Sequence, residues 1–423
     1  MAYTWYWRER SPLHVSLSGG ALTLSFAGKV NLSFDGEGRL VSVWFDGLTF
    51  RRSLDNRLLA KWTEQRGRYR RFLSLLGRSL IFERAYSLVA DVTDALDADR
   101  IATGSTSDNV VSEVHRWLRR IGEWNNQRLE RERARFYQVY KPVPVLPPDQ
   151  YLSVVLQATE GCSYNRCSFC TFYRHRPFRI KTLLEFKAHI EAVKSFLGRG
   201  LQMRRSLFLA DANAVVISQR HLLPTLDVIN RAFCILPQGL SPGERRRWVR
   251  EHPHHLKGIY SFISAPDALR KTSSDFRAMK ERNVNRLYVG LETGYDPLRQ
   301  FVRKQGTASD VAAAVRVMKA GGMQVGIIFM VGIGGQTFRE QHFQHTVKLI
   351  TELPLAKNDL IYISPFVPSA DAPYVYEAAE RGIPPLNEHE LAQEAQRFRR
   401  ALMPWAHKRG VRISHYDIRE MLY

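Results

Sequence analysis

The sequence predicts an α/β protein built around a parallel sheet of six βα units, with a small antiparallel β-sheet plus a helical segment before it and a helix after it. Three observations carry this reading. From about residue 151 onward, short β-branched or aromatic runs alternate with helical ones, as strands joined by crossover helices do. Before residue 53 the apolar residues alternate one by one between Asp-Gly turns, as hairpins require. Between them, KPVPVLPP at 141–148 holds four prolines in eight residues, too many for a helix or a central strand. The expected division is a β domain over 1–52, a helical arginine-rich segment over 53–140, a linker over 141–150, the βα body over 151–380 and a C-terminal helical extension over 381–423.

Each element has its own pattern. Leu22, Leu24 and Phe26, then Val30, Leu32 and Phe34, then Val41, Val43 and Phe45 alternate around the turns Asp35-Gly36-Glu37-Gly38 and Asp46-Gly47, which supply the positive φ angles of tight hairpins. LLAKWTEQ (58–65) and EVHRWLRRIGEWNNQRLERERARFY (113–137) have helix-like spacing, with a loop expected over 94–109, where Asp, Thr, Ser and Gly accumulate. Candidate strands follow at 152–157, 207–210, 258–263, 286–291, 323–331 and 360–363. Helices are expected at 183–197, 222–233, 308–320 and 342–353, and an arginine-rich one at about 387–405.

With 423 residues, 44% of them hydrophobic, the chain can bury a large core. The formal net charge of +21 and a pI near 10.0 favour polyanionic company such as nucleic acid, although glutamates mixed into RLERERARF read equally as a solvated face. MAYTWYWRERS at the start lacks the order of a signal peptide. The longest apolar run, MQVGIIFMVGI at 323–333, is far shorter than the roughly 20 residues of a membrane helix. A cytoplasmic location is expected.

Three of the four cysteines, Cys162, Cys167 and Cys170, crowd into nine residues directly after the first strand of the βα region. In a cytoplasmic chain such clustering points to a metal or redox site. Their C-x4-C-x2-C spacing lets three thiolates each take a different iron of a cubane and leave the fourth iron open. Cys167-x2-Cys170-x4-His175 also has workable spacing for a zinc site with three cysteines and one histidine, which would make the chain a basic nucleic-acid-binding protein without catalysis. Cys234, in RAFCILPQ, reads as a core residue.

The loop TEGCSYNRCSFCTFYRHRPFR resembles the cluster loop of the radical S-adenosylmethionine (radical SAM) superfamily, with four residues between the first two cysteines where three are usual. The resemblance covers about 152–374 and implies a partial (βα)6 TIM-like barrel, one [4Fe–4S] cluster on Cys162, Cys167 and Cys170, and S-adenosylmethionine as its partner cofactor. By the same resemblance Phe169 lies against the adenine, and Asp211 and Asn213, in place of the usual GGE, contact the methionine amine. Glu292, in GLETGYD followed by Arg303-Lys304-Gln305-Gly306, approaches the ribose, and Gly332 and Gly334, followed by Gly335, lie beside the adenine. The closest likeness in motif is to the branch of oxygen-independent coproporphyrinogen oxidases, methylthiotransferases and elongator-type enzymes. No further cysteine groups and no D-x-H-x-x-G motif are present.

The implied activity is reductive cleavage of S-adenosylmethionine to a 5′-deoxyadenosyl radical, fed by a low-potential flavodoxin or ferredoxin; the substrate and any catalytic residue are unassigned. A tRNA-modifying member of the same superfamily is an alternative. Independently, Cys162, Asp211, Glu292, Gly332 and Ser364-Pro365 all fall at C-terminal ends of the expected strands, where barrel enzymes place their sites. Taken singly, Asp211 could cap a helix, Glu292 could sit in a surface ion pair, and the glycines could merely form turns.

Overall fold

The computed structural model describes residues 2–8, 11–64 and 67–423. Met1, Glu9 and Arg10, part of the run read against a signal peptide, and Gln65, the end of LLAKWTEQ, with Arg66, lie outside the described residues. The chain divides into two compact units, one of Met1–Leu146 with Glu191–Arg205 and Arg419–Tyr423, the other of Pro147–Ile190 with Ser206–Ile418.

In the first unit, β1 (Ala2–Trp7), β2 (Ser11–Ser18), β3 (Ala21–Phe26), β4 (Val30–Asp35), β5 (Leu40–Phe45), β6 (Leu48–Arg52), β7 (Leu58–Glu64) and β8 (Gly67–Phe72) form one antiparallel sheet in chain order. The period-2 alternation turns Leu13, Val15, Leu22, Leu24, Leu32 and Phe34 into a core shared with α1 (Leu75–Asp97) and α2 (Asp108–Gly122); α3 (Asn126–Val139) follows. The helix expected at LLAKWTEQ is a strand instead. Buried Leu58, Leu59 and Ala60 mimic a helical face, but the backbone groups pair with β6 on one side and β8 on the other, and Trp62 stacks on Tyr69 across the pair at 5.7 Å. The sheet therefore continues well past residue 52.

The expected linear division also fails at 191–205, which groups with this unit. Arg39, 2% exposed, has a guanidinium that must find acceptors inside the protein. It donates to Glu132 at 2.5 Å, to Asp35 at 3.4 Å and to the carbonyls of Phe196 and Leu197. Glu132 belongs to RLERERARF, so that run is not merely a solvated face.

The second unit holds seven parallel strands in the order β9 (Ser153–Gln157), β12 (Ser206–Ala210), β13 (Ile259–Phe262), β14 (Val284–Glu292), β15 (Gln324–Val331), β16 (Leu360–Pro365) and β17 (Arg412–His415). Two short strands, β10 (Thr159–Glu160) and β11 (Arg179–Ile180), pair antiparallel. The helices are α4 (Leu183–Leu197), α5 (Gln219–Ala232), α6 (Pro242–Glu251), α7 (Ala265–Ala268), α8 (Ser273–Glu281), α9 (Asp296–Phe301), α10 (Ala308–Ala320), α11 (Arg339–Glu352), α12 (Pro373–Glu380) and α13 (Glu388–Arg409). This is the expected α/β class, a parallel sheet of the partial TIM-like barrel kind, with one strand more than the six expected.

The seventh strand lies in the segment expected to be helical only. Gly410, at φ +68°, caps α13 in the left-handed conformation. The tetrapeptide RISH then pairs with β16 from Leu360↔Arg412 to Ile363↔His415. At the other edge of the pattern, Asp149, from the proline-rich segment, accepts hydrogen bonds from Tyr288 at 2.6 Å, Tyr362 at 2.7 Å and Arg286 at 2.9 Å. Among the described residues no helix is long and apolar enough to cross a membrane.

Candidate active site

The cysteine loop is closed at its base by β10 and β11, so residues 161–178 form one excursion from the C-terminal end of β9. Gly161 turns at φ +80°, and a Cβ there would meet the Arg176 carbonyl oxygen at 2.8 Å, so only glycine fits. Asp211, just past β12 and 2% exposed, accepts from the Gly161 N–H at 3.0 Å, from Arg176 at 2.8 Å and from Gln157 Nε2 at 3.0 Å. Burial raises its carboxyl above the ordinary aspartate value, opposed by those donors. Asn213 donates to Ser163 Oγ at 3.0 Å and to Asp267 at 2.6 Å. Both residues predicted at the end of the second strand therefore hold the cysteine loop, and Asp211 caps no helix.

The far side of the loop is tied to the end of α9 and to α12. Ser168 N–H donates to the Val302 carbonyl at 3.1 Å, Tyr164 Oη to the Arg303 carbonyl at 2.9 Å, and Tyr374 N–H to the Ser168 carbonyl at 3.1 Å. Cys162, Cys167 and Cys170 are free thiols, each partly buried, and near enough that charge on Cys162 raises Cys167 and charge on either raises Cys170. Burial pushes the Cys170 thiol up to about 11 and Cys167 above the ordinary cysteine value, while Lys304 pulls both back.

Lys304 donates to Glu292 Oε1 at 2.7 Å. Burial works against its charge, yet Glu292 and then Cys167 hold its ammonium above the ordinary lysine value. The predicted Glu292 is thus in an ion pair, but it is 8% exposed and its partner only partly exposed, beside a cysteine and not on the surface. It sits at φ +60°. Its carboxylate folds over Gly290, where a Cβ would stand 2.3 Å from Oε1 and 2.9 Å from Lys304 Nζ. The turn behind it is braced by Arg299, which donates to the carbonyls of Leu291 and Thr293, and by Thr293 Oγ1, 2.8 Å from Nδ1 of the buried His342. Lys304 and Arg176 entered the sequence reading only within quoted motifs and His342 only as the start of an expected helix, none with a role; each lies 12 or more residues from its partner, and no local spacing marks such pairs.

Phe169 packs with Phe366, just past β16, edge to face at 6.4 Å. Gly332, at φ +86°, and Gly334 also lie past a strand end, but their hydrogens face chain atoms: a Cβ would meet Leu391 at 2.4 Å from Gly332, and Phe338 at 2.6 Å from Gly334. The left-handed φ at Gly332 and the close Phe338 Cβ at Gly334 favour glycine at both positions. Cys234 is exposed instead of buried in a core, because it leaves α5 toward α6 and only its backbone is engaged, with Leu256. His175 is exposed, and among the described residues no three His, Cys, Asp or Glu side chains are gathered as ligands of a single metal ion. The zinc arrangement needs four ligands closing on one ion, whereas a cubane spreads its thiolates over separate irons.

Residues 232–350 match the family model described as Radical SAM superfamily. That span holds Glu292, Lys304, Gly332 and Gly334, and lies after the cysteine loop. No curated protein matches the chain. Among solved structures, the chain is similar to the Elp3 of the archaeon Methanocaldococcus infernus with its N-terminus deleted, at 17% identity over 62% of this chain and 56% of that one, with a TM-score of 0.38. It is similar to the coproporphyrinogen III oxidase HemN of Escherichia coli, a radical SAM enzyme, at 13% identity over 64% and 56%, with a TM-score of 0.41. A third, the radical S-adenosylmethionine methyltransferase TsrM of Kitasatospora setae, solved with cobalamin and a [4Fe–4S] cluster bound, matches at 16% identity over 54% and 39%, with a TM-score of 0.38. The chain spans little more than half the length of the first two.

Proposed function

We propose that this chain, which carries a radical SAM superfamily domain over residues 232–350, is an enzyme holding one [4Fe–4S] cluster on Cys162, Cys167 and Cys170 and acting with S-adenosylmethionine on an unassigned substrate. Enzymes of this superfamily use such a cluster and S-adenosylmethionine. The observation that carries the reading is the placement of three thiols on one braced loop next to the buried Glu292–Lys304 pair. The donor set suits the group: three sulfurs share the loop, and the fourth cysteine is exposed elsewhere, which leaves one corner of a cubane to an external ligand. When bound, the group would supply one electron to the sulfonium of S-adenosylmethionine, whose S–C5′ bond would break to give methionine and a 5′-deoxyadenosyl radical able to take a hydrogen atom from the substrate.

The chain's own residues do the positioning. The thiols must lose their protons to bind metal, and the Lys304 ammonium offsets part of the burial that opposes this. Asp211 and Arg176 set the entry of the loop through Gly161, and Asn213 fixes Ser163. For S-adenosylmethionine we assign Asp211 and Asn213 to the methionine end, Glu292 to the ribose, and Phe169, Gly332 and Gly334 to the adenine side. An acidic flavodoxin or ferredoxin suits the net charge as electron donor, and the cytoplasm suits the free thiols.

The test is anaerobic reconstitution with iron and sulfide, followed by dithionite and S-adenosylmethionine. Broad absorbance near 400 nm, about four irons per chain and formation of 5′-deoxyadenosine are expected from the native chain and not from Cys167→Ala. A single tightly held zinc, or no 5′-deoxyadenosine from fully loaded protein, overturns the reading.

A further inference from the structure

The loop before β13 contains a helix that contributes nothing to the core of its own fold. None of the ten residues of α6, PGERRRWVRE, is buried, and the helix is held at its start by a capping box between Ser241 and Glu244. An isolated helix this short is marginal in water, and the charged face of this one is covered by no other element of its own fold.

Arg245, Arg246, Arg247 and Arg250 have no carboxylate partner among the described residues, whereas most arginines of the chain with a nearby acid are paired. Beside α6, the segment 237–239 shares a groove of about 600 Å³ with Arg277, Lys280 and the turn at 320–322. Lys280 reaches only the Gln238 amide, at 3.5 Å, and Arg277 has no acid partner. The acids nearby are Glu244, committed to the cap, and Glu251 and Glu281. Six unpaired cations against these make the surface strongly positive.

The position of this surface decides what it can serve. Residues 237–257 lead into the start of β13, Asn283 precedes β14, and Gly322 precedes β15, so the surface lies at the N-terminal ends of the parallel strands. The cysteine loop leaves the C-terminal end of β9. An electron donor must approach the cysteines, so it is not served here. Stable membrane attachment takes a second signal beside a basic cluster, such as an apolar helix face, and on α6 four arginines interrupt any such face. Arginine forks match phosphate oxygens. The half-buried Trp248, stacked on His252 at 4.2 Å with His255 edge-on at 5.1 Å, adds aromatic surface of the kind that unpaired bases use.

We propose that α6 and the adjoining groove form a docking surface for RNA carrying unpaired bases, separate from the reacting end of the barrel. The test uses the full reconstituted chain with mixed tRNA and poly(U) across a salt series. Replacing Arg245, Arg246, Arg247 and Arg250 by alanine should weaken binding at least tenfold and flatten the log–log salt slope by about 3, four phosphate contacts at roughly 0.7 to 0.9 each. The same four changed to lysine should keep the slope. Removing equal charge elsewhere, at Arg116, Arg119, Arg128 and Arg131, should leave both values within about twofold of native. Formation of 5′-deoxyadenosine without RNA should be unchanged in all variants, so failure here is separable from failure of the radical reading. Equal losses in the two alanine sets, or retention of duplex DNA, polyglutamate or phosphatidylglycerol vesicles as strong as that of tRNA, would overturn the proposal.

Discussion

Replacing Asp211 by alanine removes the acceptor on which Gln157, Gly161 and Arg176 converge. All three donors lose this acceptor in a site where the carboxylate is 2% exposed and the Arg176 side chain 16% exposed. An orphaned buried donor costs ~1–3 kcal/mol, and stripping one partner from a buried ion pair costs ~3–5 kcal/mol. Arg176 keeps some access to water, so the lower end applies, about 3 kcal/mol of local stability. Asp211→Asn keeps one acceptor oxygen for Gly161 and Arg176 and turns an NH2 toward Gln157, so about half of that loss is expected. Since 1.4 kcal/mol is tenfold, the Gly161 amide should exchange about a hundredfold faster in the alanine variant and about tenfold faster in the asparagine variant. Hydrogen exchange read by mass spectrometry on peptides spanning 158–170 measures this, with peptides from β14 and β15 as unchanged references. A local readout is the right one, because two compact units need not unfold in a single transition. Native-like protection of Gly161 in Asp211→Ala would refute the argument that Asp211 holds the loop.

Three further outcomes follow from the same geometry. Gly290→Ala puts a methyl 2.3 Å from Glu292 Oε1 and should cost ~1–3 kcal/mol by overpacking; an unchanged urea midpoint would mean the pair does not lie over Gly290. Asp149→Ala takes the shared carboxylate from Arg286, Tyr288 and Tyr362, while Arg286 keeps Gln324 and the Asn358 carbonyl, so about 2 kcal/mol should be lost in urea unfolding, with a loss under about 1 kcal/mol counting against the network. Burial lowers His342 to about 4, below its unfolded value of about 6.5; the Phe329 and Phe398 rings and the Thr293 and Thr346 hydroxyls surround it. Between those values the unfolded chain binds the proton and the folded one does not, so its contribution is full above about pH 6.5 and falls as pH drops, by about 2 kcal/mol at pH 5. The stability gap between native protein and His342→Gln should shrink by that amount from pH 7 to pH 5, and a gap independent of pH would contradict the neutral, buried ring.

The central strands were legible because burial on both faces makes them continuous apolar runs, as in QVGIIFMV of β15. The place of the three cysteines on one loop after the first parallel strand was legible because their short spacing and the apolar run before them are both local features. Strands β7 and β17 were not, since LLAKWTE and RISH owe their conformation to hydrogen-bond partners supplied by neighbouring strands, and such partners leave no mark on the segment's own pattern. The strand ends carrying Asp211 and Glu292 could be placed from sequence, but their bonds could not. Only the tertiary structure joined Asp211 to Arg176 and Gly161, and Glu292 to Lys304 beside Cys167. The reason is physical: periodicity and spacing report what lies next to a residue along the chain, whereas a buried charge is governed by whichever opposite charge the fold carries to it.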